Sequence, residues 1–453
     1  MSNNAVTEMV RAAAKAAEAA QAAKVDLTEG KALMAVVERF LRDRGRLLYG
    51  GFALNALLPK SKQFYDIAKE LPDYDFLTPD PLADAVELMH RFVREGYTEV
   101  EPAIGVHEGT YKVYVNFQAV ADITRCDITL YERLFEESVR LEESGMRVCP
   151  ANYLRMNMYL ELSHPAGDVS RWEKVYKRLL LFNAAHPMRV PRCRDATATS
   201  VDLSDLEPGW RGRVLARIVA EKEVVLGVSE AWDVYTHPKR TAKTRRAILR
   251  MKEGPLLVLS TAAEASAKEV TAMVPGARSK KVLAVGEMVP EHVVVSYKSS
   301  PLVVFFHTDV CHAYVETAYP GGPLRIASMD TLVNFYIALY YAGLEYDTSV
   351  LCMAQRYVDW LAKIRRPGSA TQHHWPFALF PPDCLGYQAT LPELKRLQRK
   401  RSKEEKERLK EVQDLRKSIQ ATLSAVRSQT RRASKTASSR KTTRRQTKKA
   451  KSL

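Results

Sequence analysis

Two glycines and three aspartates in the first third of the chain have the types and spacing needed to handle a phosphate group. Gly50 and Gly51 occur in the stretch LLYGGFALN, and Asp73 and Asp75 flank one tyrosine in LPDYDFLT. If the second stretch is a strand, residues i and i+2 lie on the same side of it, about 6.6 Å apart. Two carboxylates this close repel each other unless a cation lies between them. Magnesium, which prefers oxygen ligands, suits such a pair.

A third carboxylate for this metal site is expected from a neighbouring strand. The segment YKVYVNFQAVADIT, residues 111–124, alternates strictly between two faces, so we predict one continuous strand. Phe117 falls on its apolar face and Asp122 on its polar face. Asp127 is the alternative ligand, but it would fall on the apolar face if the strand continued. We therefore prefer Asp122, which would complete a site for two ions about 3.5–4 Å apart.

The glycine pair predicts a phosphate-binding turn beside this metal site. RLLYGG is predicted to be a short strand entering a tight turn, and FALNALL a helix that starts just after it. Backbone N–H groups at a helix N-terminus attract anions, and glycine lets the backbone approach a phosphate closely. A glycine pair alone usually means only a turn, and a DxD stretch usually a solvated strand edge. The ordered set is more specific, and it describes in-line displacement at the phosphorus of a nucleotide.

The positive charge of the chain is concentrated at its C-terminus. The 453 residues carry a formal net charge of +16. Residues 395–453 hold 22 basic and 5 acidic residues, whereas the rest of the chain holds 47 and 48. A mobile basic tail attracts polyanions in a salt-sensitive and sequence-independent way. A merely solubilising or localising tail is the alternative.

Other features of the composition indicate a protein without a membrane span. There is no run of 18 apolar residues, and the charged N-terminus lacks the apolar core of a secretion signal. The six cysteines have spacings that fit neither a zinc site nor a disulfide framework, which predicts a reducing, intracellular setting. They lie at positions 126, 149, 193, 311, 352 and 384.

The distribution of helical and strand patterns predicts an α+β fold in five parts. These parts are an Ala-rich helical extension over residues 1–30, a first domain with a mixed sheet and flanking helices over 31–190, a second α/β domain over 191–390, a charged helix over 391–426 and a disordered basic tail over 427–453. A strand-like piece followed by an apolar helix occurs at 146–162 and again at 324–339. The second domain is therefore either a degenerate copy of the first or a coincidental likeness between two segments.

The glycine and aspartate pattern resembles that of the polymerase-β-type nucleotidyltransferase superfamily, which is G-[GS], then D-x-[DE], then a later Asp. Within it, the chain is similar to the catalytic subunits of viral poly(A) polymerases, from large DNA viruses of the poxvirus, African swine fever virus and mimivirus kinds. The resemblance rests on YGGFALN, LPDYDFLT, YKVYVNFQAVADIT and RMNMYLELSHPAGDVSRWEKVYKRLLLFN, with a weaker match at WPFALFPPDCLGYQ. The 21 residues between Gly51 and Asp73 exceed the usual spacing, because of the insert PKSKQFYDIAKELP.

This resemblance implies a template-independent poly(A) polymerase that adds AMP from ATP to the 3′ end of RNA. It implies that Gly50 and Gly51 contact the nucleotide phosphates, and that Asp73, Asp75 and Asp122 hold two Mg²⁺ or Mn²⁺ ions. The implied partners are an RNA 3′ end, ATP, and either a second copy of the chain or a processivity subunit. The implied location is the virion and the host cytoplasm.

Basic residues on a later helix are further candidates for nucleotide binding. In VSRWEKVYKRLLLFN, apolar residues at helical spacing should face the core, which leaves Arg171, Lys174 and Arg178 along another face. If that face lines the cleft, Arg171 and Lys174 would neutralise the triphosphate or the RNA backbone. An ordinary solvated face is the alternative, and we prefer it for Arg178.

Two other functions compete with polyadenylation. One is a different nucleotidyltransferase of the same superfamily, acting on tRNA or a small molecule. The other is a catalytically dead RNA-binding scaffold whose carboxylates are remnants.

Overall fold

Two mixed β-sheets, each accompanied by helices, form the framework of the described part of the chain. The computed structural model describes residues 27–65, 74–190, 206–237, 239–250, 254–308, 310–344, 350–364, 381–390 and 392–404, with the single residues 13, 346 and 407. Asp73, most of the Ala-rich segment before residue 27 and the tail beyond residue 407 lie outside this description. What the sequence predicts for them stays a prediction.

The first sheet has seven strands in the order β3-β4-β5-β2-β1-β7-β6. Its strands are β1 Leu47–Tyr49, β2 Tyr74–Thr78, β3 Val100–Ile104, β4 Thr110–Val115, β5 Gln118–Arg125, β6 Val139–Arg140 and β7 Arg147–Val148. The accompanying helices are α1 Leu27–Arg44, α2 Gly50–Leu57, α3 Pro81–Arg94, α4 Ile128–Glu136, α5 Ala151–Leu162 and α6 Trp172–Ala185, with 3₁₀ turns at Lys60–Lys62 and Val169–Arg171. Strand β2 is parallel to β5 and β1 is parallel to β7, whereas all other neighbours are antiparallel.

The predicted strand over residues 111–124 is wrong as a single strand. The chain turns back at Asn116 and Phe117, so that Val115 pairs with Gln118 and the segment forms the β4–β5 hairpin. Both turn residues have positive φ, 49° and 65°. A two-residue turn shifts the alternation between faces by one residue, but the register shift next to it, where Tyr114 pairs with Ala119 and Val113 with Ala121, shifts it back. Asn-Phe also lacks the glycine that usually marks such a turn. The periodicity therefore continued through the turn without a break.

The second sheet has eight strands in the order β10-β11-β12-β9-β8-β14-β13-β15. Its strands are β8 Val224–Val225, β9 Leu256–Ser260, β10 Ala277–Val282, β11 His292–Tyr297, β12 Ser300–His307, β13 His312–Tyr319, β14 Gly322–Ala327 and β15 Cys384–Leu385. Its helices are α7 Trp210–Ala220, α8 Val228–Thr236, α9 Ala242–Arg250, α10 Ala263–Met273, α11 Met329–Tyr341 and α12 Val350–Ile364.

The first seven strands of the second sheet repeat the topology of the first sheet. Replacing β1, β2, β3, β4, β5, β6 and β7 by β8, β9, β10, β11, β12, β13 and β14 reproduces the strand order. The directions also agree, since β9 is parallel to β12, β8 is parallel to β14, and the other pairs are antiparallel. A helix precedes β1 and β8, and an apolar helix follows β7 and β14. This agreement favours the interpretation of the second sheet as a degenerate copy.

The ladder registers show what changed in the copy. Leu47 of β1 pairs with Arg147 of its parallel neighbour, and Val224 of β8 pairs with Arg325 of its own, so these places correspond. The same alignment continues along the neighbouring strands. The residues in the places of Asp75, Asp122 and Lys112 are Leu257, Val304 and Val294. All three replacements are buried apolar side chains, so the copy has lost the carboxylates.

The second sheet keeps one of the two glycines of the turn, and a buried ion pair lies beside it. Gly227, the N-cap residue of α8, corresponds to Gly50, and Val228 replaces Gly51. A Cβ on Gly227 would collide with the Glu230 carboxylate, which is paired with the Arg211 guanidinium. Both side chains of this pair are buried. The Glu230 carboxylate and its arginine partner therefore occupy the space beside this turn in the second sheet.

The two sheets share one hydrophobic core. Helices α5 and α11, which follow the equivalent strands β7 and β14, pack against each other. The rings of Tyr153 and Tyr341 meet edge to face at this contact, with centroids 5.8 Å apart. Packing groups the chain up to Leu394 as one unit and the chain from Lys395 as a second. The division of the first unit near residue 190 stays a prediction.

The expectation that the cysteines form no disulfide framework is wrong. Cys311 and Cys384 form a disulfide, and Cys352 is also disulfide-bonded. Pairing of β15 with β13 brings Cys384 beside the start of β13, although 73 residues separate the two cysteines. Spacing along the chain could not show this long-range pairing. Cys126 and Cys149 are free and buried.

The C-terminal charged helix is described only in part. Residues 392–404 are helical, and Lys400 and Glu404 form an ion pair one turn apart, at 3.8 Å. The remaining predicted extent of this helix lies outside the described residues. None of the helices in the described ranges combines the length and apolar character needed to cross a bilayer.

Candidate active site

Two carboxylates lie side by side on parallel strands. Asp75 of β2 and Asp122 of β5 are direct partners in the ladder, so their backbones are about 4.8 Å apart and their side chains lie on the same face. On the other side of Asp75, the ladder partner is Tyr49, the last residue of β1. Burial and then the negative charge of Asp75 raise the pKa of Tyr49, which stays neutral.

A lysine ammonium is bound beside these carboxylates. Lys112 of β4 is the ladder partner of Asp122, and its Nζ donates to the Asp122 carboxylate at 2.7 Å. The two side chains are 29% and 18% exposed, so water screens their attraction only in part. The face thus carries two adjacent negative charges that already attract a cation, and this donor set fits a divalent metal ion.

The other aspartates have different surroundings. Asp73, the remaining predicted ligand, lies outside the described residues. Asp127, the alternative ligand, caps α4 by accepting from the backbone N–H groups of Thr129 and Leu130. Within the ranges that the structure describes, no cluster of three or more His, Cys, Asp or Glu side chains is placed to bind a metal. The observed feature is therefore the pair of Asp75 and Asp122.

The glycine turn contacts the carboxylates directly. Gly50 has φ +70°, a conformation that favours glycine, and any Cβ there would collide with Oδ2 of Asp75. Helix α2 begins at Gly50, and its N-cap residue, Tyr49, makes no side-chain capping hydrogen bond. The first N–H groups of α2 thus lie next to the metal-binding face. A bound phosphate group could contact both.

Arg178 is the basic side chain that approaches this turn. A Cβ on Gly51 would lie 3.3 Å from Nη1 of Arg178 and 3.0 Å from the hydroxyl of Tyr65. The Arg178 guanidinium donates to that hydroxyl at 2.8 Å, and it stacks over Phe64 with its carbon 4.3 Å from the ring centroid. Arg178 is half-buried, so the preferred reading of it as an ordinary solvated residue does not hold.

Both residues that hold Arg178 come from the insert after α2. The buried Asn55 of α2 accepts hydrogen bonds from the backbone N–H groups of Phe64 and Tyr65, at 2.8 and 3.0 Å. This anchors the start of the insert against the glycine turn. Asn55 therefore makes local hydrogen bonds. The start of the insert, up to Tyr65, is thus held against α2 and fixes the position of an arginine more than a hundred residues away.

Helix α6, which carries Arg178, is fixed by two further contacts. The buried Arg155 of α5 donates to the side chain of Asn183, at 2.7 Å, and to the backbone oxygen of His186. Burial lowers the pKa of Arg155 to about 10, so it remains charged near neutral pH. His186 contacts the backbone oxygen of Leu57, at the end of α2, at 2.7 Å. These contacts align α6 with α2.

Arg171 and Lys174 are not among the groups nearest to a Cβ on Gly51. Arg171, at the start of α6, pairs with Glu161 at 3.2 Å, and its side chain is 60% exposed. Lys174 is exposed on the same helix, one turn before Arg178. Their assignment to nucleotide binding stays a prediction. The aromatic pair Phe64–Tyr65 is the sequence feature that could have indicated a bound arginine. Nothing in the local sequence, however, shows that this pair meets helix α6.

Comparison with known proteins supports the resemblance drawn from these residues. Residues 35–168 match the family model described as "Poly(A) polymerase catalytic subunit". Over 178 residues, the chain is 30% identical to the "Putative poly(A) polymerase catalytic subunit" of Acanthamoeba polyphaga mimivirus, covering 38% of this chain and 29% of that one. The protein of the same name from African swine fever virus, isolate Pig/Kenya/KEN-50/1950, is 28% identical, covering 38% and 36%. The matches span about a third of the length of these relatives.

A solved structure shows the same fold. The crystal structure of the Megavirus polyadenylate synthase matches with a TM-score of 0.71 at 18% identity, covering 90% of this chain and 84% of that chain. This match confirms the α+β fold class, and the matches to the family model and the viral relatives confirm the resemblance to viral poly(A) polymerase catalytic subunits.

The Lys112–Asp122 pair predicts competition between lysine and metal. Replacing Lys112 by Met should tighten Mn²⁺ binding on the order of tenfold, because the ion no longer displaces an ammonium. The metal-free protein should lose about 1 kcal/mol of unfolding free energy, because Asp122 loses its partner. Electron paramagnetic resonance of free Mn²⁺ and urea unfolding measure the two effects. Lys60→Met, which removes an exposed lysine paired with Glu143, is the control. Unchanged Mn²⁺ affinity in Lys112→Met would contradict the competition.

The contact of Arg178 with the glycine turn predicts a role in binding triphosphate. Arg178→Ala should weaken ATP binding roughly 10- to 100-fold, because a charged donor is lost. Calorimetric titration with ATP measures this affinity without turnover. Lys177→Ala removes the neighbouring exposed lysine and should leave ATP affinity unchanged within about twofold. Equal losses in both variants would indicate a general charge effect instead of a specific contact.

Proposed function

We propose that this chain is a template-independent poly(A) polymerase, which transfers AMP from ATP to the 3′ end of RNA. The observation that carries the proposal is the direct ladder pairing of Asp75 with Asp122, beside the Gly50 turn that starts α2. The match of residues 35–168 to the poly(A) polymerase family supports it. So do the printed names of the mimivirus and African swine fever virus relatives.

The residues divide into two groups by their task in this reaction. Asp75 and Asp122, with Asp73 as the third expected ligand, would hold two Mg²⁺ or Mn²⁺ ions. When bound, the ions supply Lewis acidity to the attacking hydroxyl and neutralise charge on the departing pyrophosphate. The N–H groups after Gly50 and the Arg178 guanidinium bind the triphosphate. Because Gly50 has no side chain, the phosphates reach the carboxylate face.

The reaction itself is a single displacement. The 3′ hydroxyl of the RNA gives its proton to solvent and its oxygen attacks the α-phosphorus of ATP; the bond from that phosphorus to the oxygen bridging to the β-phosphate breaks, and pyrophosphate leaves. The protein positions the two reactants in line and stabilises charge, and its carboxylates hold cations instead of shuttling protons. No covalent link to the protein is needed.

The partners and location follow from the same proposal. RNA and ATP are the substrates, and the basic tail retains RNA through sequence-independent phosphate contacts. A second copy of the chain or a separate processivity subunit completes the assembly. The virion and the host cytoplasm are the expected location, in keeping with the viral relatives. Because cysteines of this chain form disulfides, the cysteine spacings no longer support a reducing compartment.

A different nucleotidyltransferase is the second candidate, since the same carboxylates and glycine turn would serve other acceptors. Extension of an RNA primer with each nucleoside triphosphate separates the candidates. Long products from ATP alone support polyadenylation, whereas no extension of any RNA supports a small-molecule acceptor. A dead scaffold is disfavoured by the placement of Asp75, Asp122 and Gly50 around one face.

Loss of one carboxylate should abolish polymerisation but not folding. Asp75→Asn should reduce primer extension roughly a thousandfold, because a metal ion contributes several kcal/mol of stabilisation in the transition state. RNA affinity and the unfolding temperature should stay close to those of the wild type. Asp127→Asn is the matched control, since asparagine also caps helices and should leave activity intact. Substantial extension by Asp75→Asn would break the assignment of the catalytic face.

Removal of the basic tail should affect RNA binding alone. A chain ending at Leu394 loses 22 basic and 5 acidic residues. Its RNA affinity should fall and become less dependent on salt, since each lost phosphate contact reduces the slope by about 0.7 for single strands. The rate with saturating RNA and ATP should stay the same. Filter binding over a range of salt concentrations measures the slope. Equal slopes for both chains would exclude the tail as an RNA contact.

A further inference from the structure

An aromatic side chain stands exposed at the tip of the hairpin that carries part of the site. Phe117 is the second residue of the two-residue turn between β4 and β5, and its side chain is 87% exposed. The same two strands carry Lys112 and Asp122. No other exposed large hydrophobic side chain in the described ranges has a larger exposed fraction.

The backbone at Phe117 is strained. Asn116 and Phe117 have φ of 49° and 65°, which is the pattern of a type I′ turn. The second position of this turn strongly prefers glycine, and a bulky side chain with positive φ is a true outlier. Since the ring is exposed, it gains no packing that would offset this strain. An Asn-Gly sequence would form this turn with less strain. Phenylalanine at this position therefore points to a role other than folding.

The tip of the hairpin lies beyond the site, at the end of the sheet where the described part of β2 starts. Tyr74, the first described residue of β2, pairs with Ala121, so the first three residues of β5 lie further toward this end of the sheet. Gly50 lies at that same end, because it follows Tyr49, the partner of Asp75. Phe117 is five residues from Asp122, or about 16 Å along an extended chain. The tip therefore lies at the end of the sheet where β2 starts and α2 begins, within a few nucleotides' reach of the carboxylates.

The chemistry of the tip suits a nucleic acid strand. Residues 113–121 contain no charged side chain, and the ring is flanked by the amides of Asn116 and Gln118. Bases of any identity stack on aromatic rings, and amides can bond to their edges. A protein partner would need a larger continuous apolar surface than one ring among amides.

We propose that Phe117 stacks on a base of the RNA primer within the last few nucleotides before its 3′ end. This proposal rests on the proposed polymerase function, which supplies RNA as the polymer. Stacking at the hairpin tip holds the strand at a fixed distance from Asp75 and Asp122. It is independent of base identity and so allows the strand to advance after each addition.

The decisive variant is Phe117→Gly, which should improve folding while impairing RNA binding. Glycine relieves the strain at positive φ, so the unfolding temperature should rise by a few degrees. The Kd for a short single-stranded oligoadenylate should increase on the order of 5- to 150-fold at fixed salt, as expected for the loss of one base stack. Fluorescence anisotropy without ATP measures this Kd, and Phe117→Trp should retain wild-type affinity.

Abasic substitution in the oligonucleotide locates the contact. One abasic position near the 3′ end should weaken binding to the wild-type protein, whereas Phe117→Gly should be insensitive at that position. Leu283→Ala, which removes another exposed apolar side chain just after β10, should change neither result.

Two outcomes would overturn the proposal. One is equal RNA affinity of wild type and Phe117→Gly. The other is a change in self-association of Phe117→Gly by sedimentation with RNA affinity intact, which would assign the ring to a protein interface. Failure of the polymerase function is distinguishable, since it appears as absent primer extension in the wild type, while the binding assay needs no turnover.

Discussion

Repulsion between two carboxylates on neighbouring strands is the constraint around which the site is built. The parallel pairing of β2 with β5 places Asp75 and Asp122 about one strand spacing apart on the same face. Like charges in such positions are stable only with a cation between or beside them. In the described structure the Lys112 ammonium binds Asp122. The neighbouring turn is also tight, because Gly50 leaves just enough room for the Asp75 carboxylate.

The second sheet shows the same scaffold with this constraint removed. Leu257 and Val304 take the ladder places of Asp75 and Asp122, and both are buried. An apolar pair in these places contributes to the core, whereas the charged pair has to be offset by a cation. The first sheet therefore retains an arrangement that weakens folding, which is the usual relation between a site and its scaffold. Phe117, with its positive φ and exposed ring, is a second feature of this type.

The phosphate side of the site depends on contacts between distant segments. Asn55 holds the start of the insert, and Tyr65 and Phe64 hold the Arg178 guanidinium beside Gly51. The insert that makes the spacing between glycines and aspartates unusually long is thus the segment that positions the arginine. Arg171 and Lys174, on the same helix face by periodicity, lie nearer its N-terminus and are exposed.

The sequence alone determined the elements and the chemical character of the site. The strand YDFLT, the helix after the glycine pair and the preference for Asp122 over Asp127 follow from short-range periodicity, which reports the face that each side chain occupies. Tertiary structure decided which distant residues meet. The Cys311–Cys384 disulfide and the approach of Arg178 to Gly51 depend on packing between segments far apart in the chain, and local patterns carry no information about such contacts. The turn at Phe117 is local, but its Asn-Phe sequence lacks the glycine that would have marked it.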